Sequence, residues 1–332
     1  MMTGIFCVYT NDAICQVVFP LRQLEGRAQG TTYHISYYSK DTFSLKGSID
    51  SLLKKIDSSL STYLPASIIS RMNSNDSHAV ADQHFKNVFA RSNEISTLTK
   101  GLFDITVAPV VNAWGFGFTK KKDVRKENVD SLLKLVGFEK VRLQDGRLVK
   151  KMPEMMIDMN AIAQGYTVDQ MGEFLDAYGI ESYIVELGGE LRTKGRKSDG
   201  GYWKIGIDRP SELESNEFQA ILSLEGKSMA TSGNYRRFYE ENGKRYAHII
   251  DPRTGFPAKH NLLSATVVAK DCMTADAFAT AFMVMGVEET KSFLAAHPGE
   301  GLEVILIYDD GGRWKTYISP ALQTAVTDVK SE

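Results

Sequence analysis

The hydrophobic and polar positions of this chain change period several times, and each change predicts an element. "TTYHISYY" (Thr31 to Tyr38) alternates, as a half-buried strand does. "SIDSLLKKIDSSL" places Ile49, Leu52, Leu53, Ile56 and Leu60 on one helical stripe. A second amphipathic helix fits Phe85, Val88, Phe89 and Ile95 and ends near Gly101. A third begins after Asn160 and carries Val168, Met171, Phe174 and Leu175. The second half is richer in strands: "SYIVEL" (182–187), "WKIGID" (203–208), "FQAILSLE" (218–225), "SATVVAK" (264–270) and "EVILIY" (303–308). Most are joined by short turns containing Gly or Asp. Between Asp271 and Gly286 an almost wholly apolar stretch, "CMTADAFATAFMVMG", predicts a buried helix. Helices and strands mix without regular βαβ alternation, so the pattern predicts an α+β fold.

Composition narrows the function classes. A length of 332 residues fits one large domain or two intimate ones. A net charge of -2 gives no footprint for nucleic acid. "KKKDVRKE" (120–127) mixes signs and reads as a solvated loop or helix start. The three cysteines, Cys7, Cys15 and Cys272, form no C-x-x-C pair, which argues against a zinc site. Cys272 reads as a small buried apolar residue. No window of about 20 apolar residues predicts a membrane-spanning helix. The start, "MMTGIFCVY", lacks a basic n-region. It reads as a tail or as the back half of an export leader, with Cys7 as a lipidation site.

Candidate chemistry sits in five segments. Asp276 and Thr280 are four apart in the apolar helix and share a face. A buried carboxylate is costly unless paired or bound to a cation, and a carboxylate with a hydroxyl suits a hard cation such as Mg2+. The alternative is that Asp276 caps the helix and Thr280 bonds back to a carbonyl. In "IDMNAIAQGYTVDQM", an apolar, strand-like run ends at Asp158, and Asn160 reads as a helix N-cap. Small residues follow, up to Gly165, and allow a ligand or another backbone to approach; the helix N-terminus favours phosphate. "VELGGEL" places two glycines directly after a buried strand, giving positive φ or room for a ligand. "ATSGNYRRFY" offers the hydroxyls of Thr231 and Ser232 beside a glycine. "HIIDPRTGFP" offers His248 as a proton carrier near neutral pH. Asp251 either orients that histidine or closes an Asx turn ahead of Pro252.

"GLFDITVAPVVNAWGFG", "DMNAIAQGYTVD", "VELGGEL", "ATSGNYRRFY", "HIIDPRTGFP" and "TADAFATAFMVMG" follow one another in this order. The ordered set resembles the FAD:protein FMN transferase family, also called the ApbE family, from about Glu25 to near the C-terminus. The resemblance implies an α+β fold of mixed, largely antiparallel sheets with packed helices. It implies one catalytic domain over residues 23–326, preceded by a tail or leader remnant over 1–22. It implies Mg2+-dependent transfer of FMN from FAD to a Ser or Thr hydroxyl of a target flavoprotein, with release of AMP. The target is expected to be a subunit of a membrane redox complex, and the enzyme a periplasmic lipoprotein anchored to the inner membrane. Two other activities are compatible: FAD hydrolysis to FMN and AMP, and flavin binding without catalysis.

Carried over position by position, the resemblance assigns the metal to the Asp276 carboxylate, the Thr280 hydroxyl and the Ala161 carbonyl. It assigns FAD contacts to Gln29, Tyr63, Leu102, Phe103, Asp104, Asp158, Gln164 and Ile250, with Thr231 and Ser232 on the phosphate side. His248 is assigned as the base that takes the proton of the incoming hydroxyl. A ring at Tyr63 is expected to restrict water and disfavour hydrolysis. The chain departs from the family pattern at Gln29, where Met is common, at Asn160, where Gly is frequent, and at Ala279, where some relatives carry a second Asp. Gln164 stands where Lys is common, which removes a positive charge near the phosphates.

Overall fold

The computed structural model describes residues 19–117, 126–209, 218–234, 238–241, 244–247, 249–327 and 329. The apolar start with Cys7 and Cys15, the run from Lys120 to Arg125, and His248 lie outside the described residues. In chain order the elements are β1 (Leu21–Ala28), β2 (Thr31–Tyr38), α1 (Lys46–Leu60), α2 (Ile68–Asn73), α3 (Gln83–Leu98), α4 (Ala108–Trp114) and α5 (Lys126–Leu133). Then come β3 (Val141–Gln144), β4 (Arg147–Lys150), α6 (Asn160–Ala177), β5 (Tyr183–Leu187), β6 (Glu190–Lys194), β7 (Trp203–Asp208), β8 (Phe218–Leu224) and β9 (Ser228–Gly233). The remainder is β10 (Phe238–Glu241), β11 (Lys244–Ala247), β12 (Leu262–Ala269), α7 (Cys272–Met285), α8 (Val287–Ala296), β13 (Glu303–Asp309), β14 (Trp314–Ile318) and β15 (Val326–Thr327).

Eight strands form one sheet in the order β1-β2-β5-β6-β9-β12-β13-β14. Every neighbouring pair in it is antiparallel, consistent with an α+β fold. Around β12 and β13 the sheet is covered on both faces. Ala265 and Val267 of β12 and Val304 and Leu306 of β13 pack with the helices, in the same cluster as Phe278 and Phe282. Val268, Ile305 and Ile307, each next to one of these in sequence, pack instead with Trp203, Ile205 and Leu222 of the small sheet β15-β8-β7. Two buried faces explain why β12 and β13 read as continuous apolar runs rather than as alternation. On β2 the alternation is kept: Tyr33, Ile35 and Tyr37 are buried, while Thr32 and His34 are exposed.

Helix α7 lies across β9 and β12 and against α6. It is buried on nearly all sides, which its apolar composition permits. Asp271 caps it, accepting the Thr274 N–H at 2.8 Å, so Asp276 is free of the capping role. Two local expectations are corrected at the start of α6. Asn160 is the first residue of the helix rather than its cap, and its N–H donates to the Asp158 carboxylate at 2.8 Å. The apolar run before Asp158 is not a strand. It is held instead by buried Asn73, whose amide nitrogen donates to the Ile157 carbonyl and whose amide oxygen accepts the Ile157 N–H, both at 2.8 Å. Among the described residues no helix is long and apolar enough to cross a membrane.

Candidate active site

The site begins at the seam between α6 and α7. Gly165 is in helical backbone, and a Cβ there would stand 2.3 Å from the Cys272 carbonyl oxygen and 2.7 Å from the Asp276 Cβ. Only glycine lets the two helices meet this closely. The contact brings the Gly165 N–H within 2.9 Å of the Asp276 carboxylate, which accepts it. Burial pushes the Asp276 carboxyl up to about 7; the Gly165 N–H opposes the rise, and the charge of Asp169 adds to it. One turn along the seam, Asp169 accepts the N–H groups of Cys272 at 2.9 Å and Met273 at 2.8 Å. Cys272 is fully buried, as expected for a small apolar residue.

A cavity of about 260 Å³ opens beside Asp276. Thr280 of α7 lines it, and so do Ala161 and Gln164 at the start of α6. Leu102, Phe103 and Asp104 reach it from the turn after α3, and Asp158 and Ile250 from two loops. Ser232 of β9 and Tyr63, which is 65% exposed, complete its rim. Asp104 is structurally committed. It accepts the Thr106 N–H at 2.8 Å, the Thr106 hydroxyl at 2.6 Å and the Phe138 N–H at 2.9 Å, and burial still raises its carboxyl. Burial also raises the Asp158 carboxyl, to about 6. The Ser232 and Thr280 hydroxyls are 3.4 Å apart, so Thr280 faces across the cavity to β9.

Two further cavities adjoin this one, and Gln164 lines all three. Gln29 lines the two side cavities but not the first. It sits in the two-residue turn between β1 and β2 with φ +51°, a left-handed conformation that a non-glycine residue adopts at some cost. Its amide nitrogen donates to Thr167 at 2.9 Å, and its amide oxygen is buried without a hydrogen-bond partner. Thr231 lines only the cavity at the sheet edge, and its hydroxyl pairs with that of Thr266 at 2.9 Å. Asp251 closes a turn. Its carboxylate accepts the Arg253 N–H at 2.8 Å, and its carbonyl accepts the Gly255 N–H at 2.8 Å. The turn is pinned by the Trp114 indole, which donates to the Gly255 carbonyl at 2.8 Å.

One lining carboxylate was not singled out by its sequence signal. Glu190 opens β6, directly after Gly188 and Gly189, whose φ values are +66° and +113°. Its side chain lines the cavity beside Asp276. Burial, and then the charge of Asp276, hold its carboxyl well above the usual range. The available signal was a carboxylate placed at the break of a buried strand. Among the described residues no three His, Cys, Asp or Glu side chains converge to hold a metal on their own.

The profile of the ApbE family matches residues 29–306. The chain is 36% identical to the FAD:protein FMN transferase of Haemophilus influenzae, with 94% of each protein covered. It is 38% identical to the FAD:protein FMN transferase of Vibrio cholerae, over 90% of this chain and 91% of that one. The solved structure of the flavin transferase ApbE from Vibrio cholerae superposes with a TM-score of 0.82 at 35% identity, covering 92% of this chain and 100% of that one.

Proposed function

This chain belongs to the ApbE family, and from that premise we propose that it transfers the FMN half of FAD to a Ser or Thr hydroxyl of an acceptor protein. The observation that carries the reading is convergence. Leu102 to Asp104, Asp158, Ala161, Gln164, Ile250, Asp276 and Thr280 come from distant parts of the chain, yet they line one cavity. In the reaction the acceptor oxygen bonds to the FMN-side phosphorus, the bond from that phosphorus to the AMP oxygen breaks, and AMP leaves. Such a transfer depends on positioning and on neutralising charge, and it needs no covalent intermediate on the enzyme.

The residues present suit a hard cation. The donors that the described residues bring to the cavity are oxygens, no Lys, Arg or His among the described residues lines it, and the Glu190 carboxylate has an oxygen without a partner. Asp276, Thr280 and the Ala161 carbonyl would hold Mg2+. When bound, that ion supplies neutralisation of the diphosphate charge and stabilisation of the AMP leaving group. The chain's own groups do the rest. Leu102, Phe103 and Ile250 present apolar surface for the flavin substrate, and Tyr63 limits the entry of water. The Asp251 turn holds the loop that follows His248. By the family resemblance His248 takes the hydroxyl proton, a role typically worth about 10²–10⁴-fold.

The acceptor fits a flavoprotein subunit of a membrane redox complex, and the enzyme fits an exported, periplasmic protein anchored to the inner membrane through Cys7. The family resemblance supports both readings, and the apolar start supports the second. The test is to incubate the protein with FAD, MgCl2 and an acceptor domain, and to follow AMP together with the acceptor mass. Transfer gives one FMN-sized mass gain per AMP. AMP without a modified acceptor indicates FAD hydrolysis instead.

A further inference from the structure

Among the described residues the cavity beside Asp276 is lined by four carboxylates, Asp104, Asp158, Glu190 and Asp276, and by no cationic side chain. Three of them accept from other residues, whereas Glu190 has only its own backbone N–H as a donor. Asp104 accepts from Thr106 and Phe138, Asp158 from Asn160, and Asp276 from Gly165. Glu190 differs. Only 8% of it is exposed, and its Oε2 has no hydrogen-bond partner. A buried acceptor left unpaired carries the full cost of its desolvation. A carboxylate in that state beside a second buried carboxylate is costlier still.

The backbone around Glu190 is arranged to keep it there. Gly188 has φ +66°, and a Cβ on it would stand 3.4 Å from Glu190 Oε2, 3.1 Å from Gln164 Nε2 and 2.9 Å from Thr31 Cγ2. The missing side chain leaves space over which Glu190 and Gln164 both reach. On the partner strand, β6 meets β9 through Leu191 and Arg192 only. Glu190 thus stands where that pairing stops, with its side chain turned to the cavity that Asp276, Thr280 and Ser232 also line.

We propose that Glu190 is a cation-holding residue of this site, its unpaired Oε2 binding the divalent ion, directly or through an ion-bound water. This rests on the cation reading given above and extends it to a residue outside the inherited set of Ala161, Asp276 and Thr280. Mg2+ commonly takes one or two protein carboxylates and completes its shell with water and phosphate oxygens, which fits two carboxylates and, among the described residues, no tight three-residue cluster. It also gives Glu190 a purpose that its surroundings otherwise deny it. Without the ion its charge opposes folding, and with the ion it contributes to binding.

The test is thermal melting of the full chain without FAD, at increasing MgCl2, for wild type, Glu190→Gln, Glu190→Asp and Asp276→Ala. A ligand that binds only the folded state raises the melting temperature by mass action. Glu190→Gln keeps shape and removes charge. Its metal-free melting temperature is expected to rise above wild type, and its half-saturating Mg2+ to increase about 10–100-fold. Glu190→Asp keeps the charge on a shorter arm and is expected to fall between. A structural carboxylate predicts the reverse pattern, a lower metal-free melting temperature with an unchanged Mg2+ response, and that result overturns the proposal. If Asp276→Ala abolishes the Mg2+ response while both Glu190 variants keep it, the Glu190 inference alone fails. If wild type shows no Mg2+ response, the cation reading itself fails and takes this inference with it.

Discussion

Asp169 and Asp276 sit on the facing helices α6 and α7, both buried, both with carboxyls pushed up to about 7 chiefly by burial. Their partners separate them. Asp169 accepts two N–H groups from the first turn of α7 and faces Arg192 at 3.5 Å. It faces no part of the active-site cavity. Asp276 accepts a single N–H, from Gly165, and lines the cavity with Thr280 and Glu190. Equal burial thus serves two ends. One carboxylate ties two helices together, and the other is held in place by that tie and keeps coordinating capacity for a ligand. A raised pKa is common to both and does not separate them; what separates them is that only Asp276 lines the cavity, where the proposed function places the cation.

Substitutions break this comparison in graded ways. Asp276→Ala removes the carboxylate to which the proposed function assigns the cation, and FMN transfer is expected to drop by ~10³-fold, equivalent to several kcal/mol of lost charge stabilisation. Circular dichroism should show the fold intact. Asp169→Ala acts through stability. It leaves two helix N–H groups and Arg192 without their shared partner, and chemical denaturation should show a loss of about 3 kcal/mol. Gly165→Ala forces the seam apart and should cost about 1–3 kcal/mol in the same assay, together with weakened transfer, because the Gly165 N–H moves off Asp276.

The pH dependence tests the Asp169 tie by itself. The folded Asp169 carboxyl titrates near 7, against an ordinary value of 3.8. The folded state therefore holds its proton where the unfolded state has lost it. This contribution to stability is fully present below about pH 4 and is lost as pH rises toward 7, with a slope of at most about 1.4 kcal/mol per pH unit. Asp169→Asn should flatten that part of the stability profile. The smallest effect is expected at the open rim. Tyr63→Asn should raise FMN release in the absence of acceptor by roughly tenfold or less, with stability unchanged, because the ring is 65% exposed. Equal hydrolysis by wild type and variant counts against a role for Tyr63 in excluding water.

Much of this arrangement is legible in the sequence, and for a physical reason. Strands 203–208 and 31–38 and the apolar helix after Asp271 each have a one-sided or all-round burial that writes a period into the chain. β1 is less legible. It is an edge strand whose residues alternate only between exposed and half-buried, so "LRQLEGRA" carries little contrast. The start of α6 misleads because Asn160 has the chemistry of a cap, while Asp158 takes that bond two residues earlier. The i,i+4 pair Asp276 and Thr280 is readable because helix geometry alone puts both on one face. Glu190 is not, because its significance lies in a missing partner and in the nearness of Asp276, and both arise only when β6 and α7 meet in three dimensions. His248 stands outside the described residues, so its role rests on the family resemblance.

The most direct measurement places wild type, Asp276→Ala and Asp169→Asn side by side with FAD, MgCl2 and an acceptor domain carrying a reactive Thr, and reads AMP and acceptor mass together. The account predicts an FMN-sized mass gain with wild type, its near-total loss in Asp276→Ala, and its retention in Asp169→Asn below that variant's melting temperature. Transfer by Asp276→Ala at the wild-type rate would contradict it.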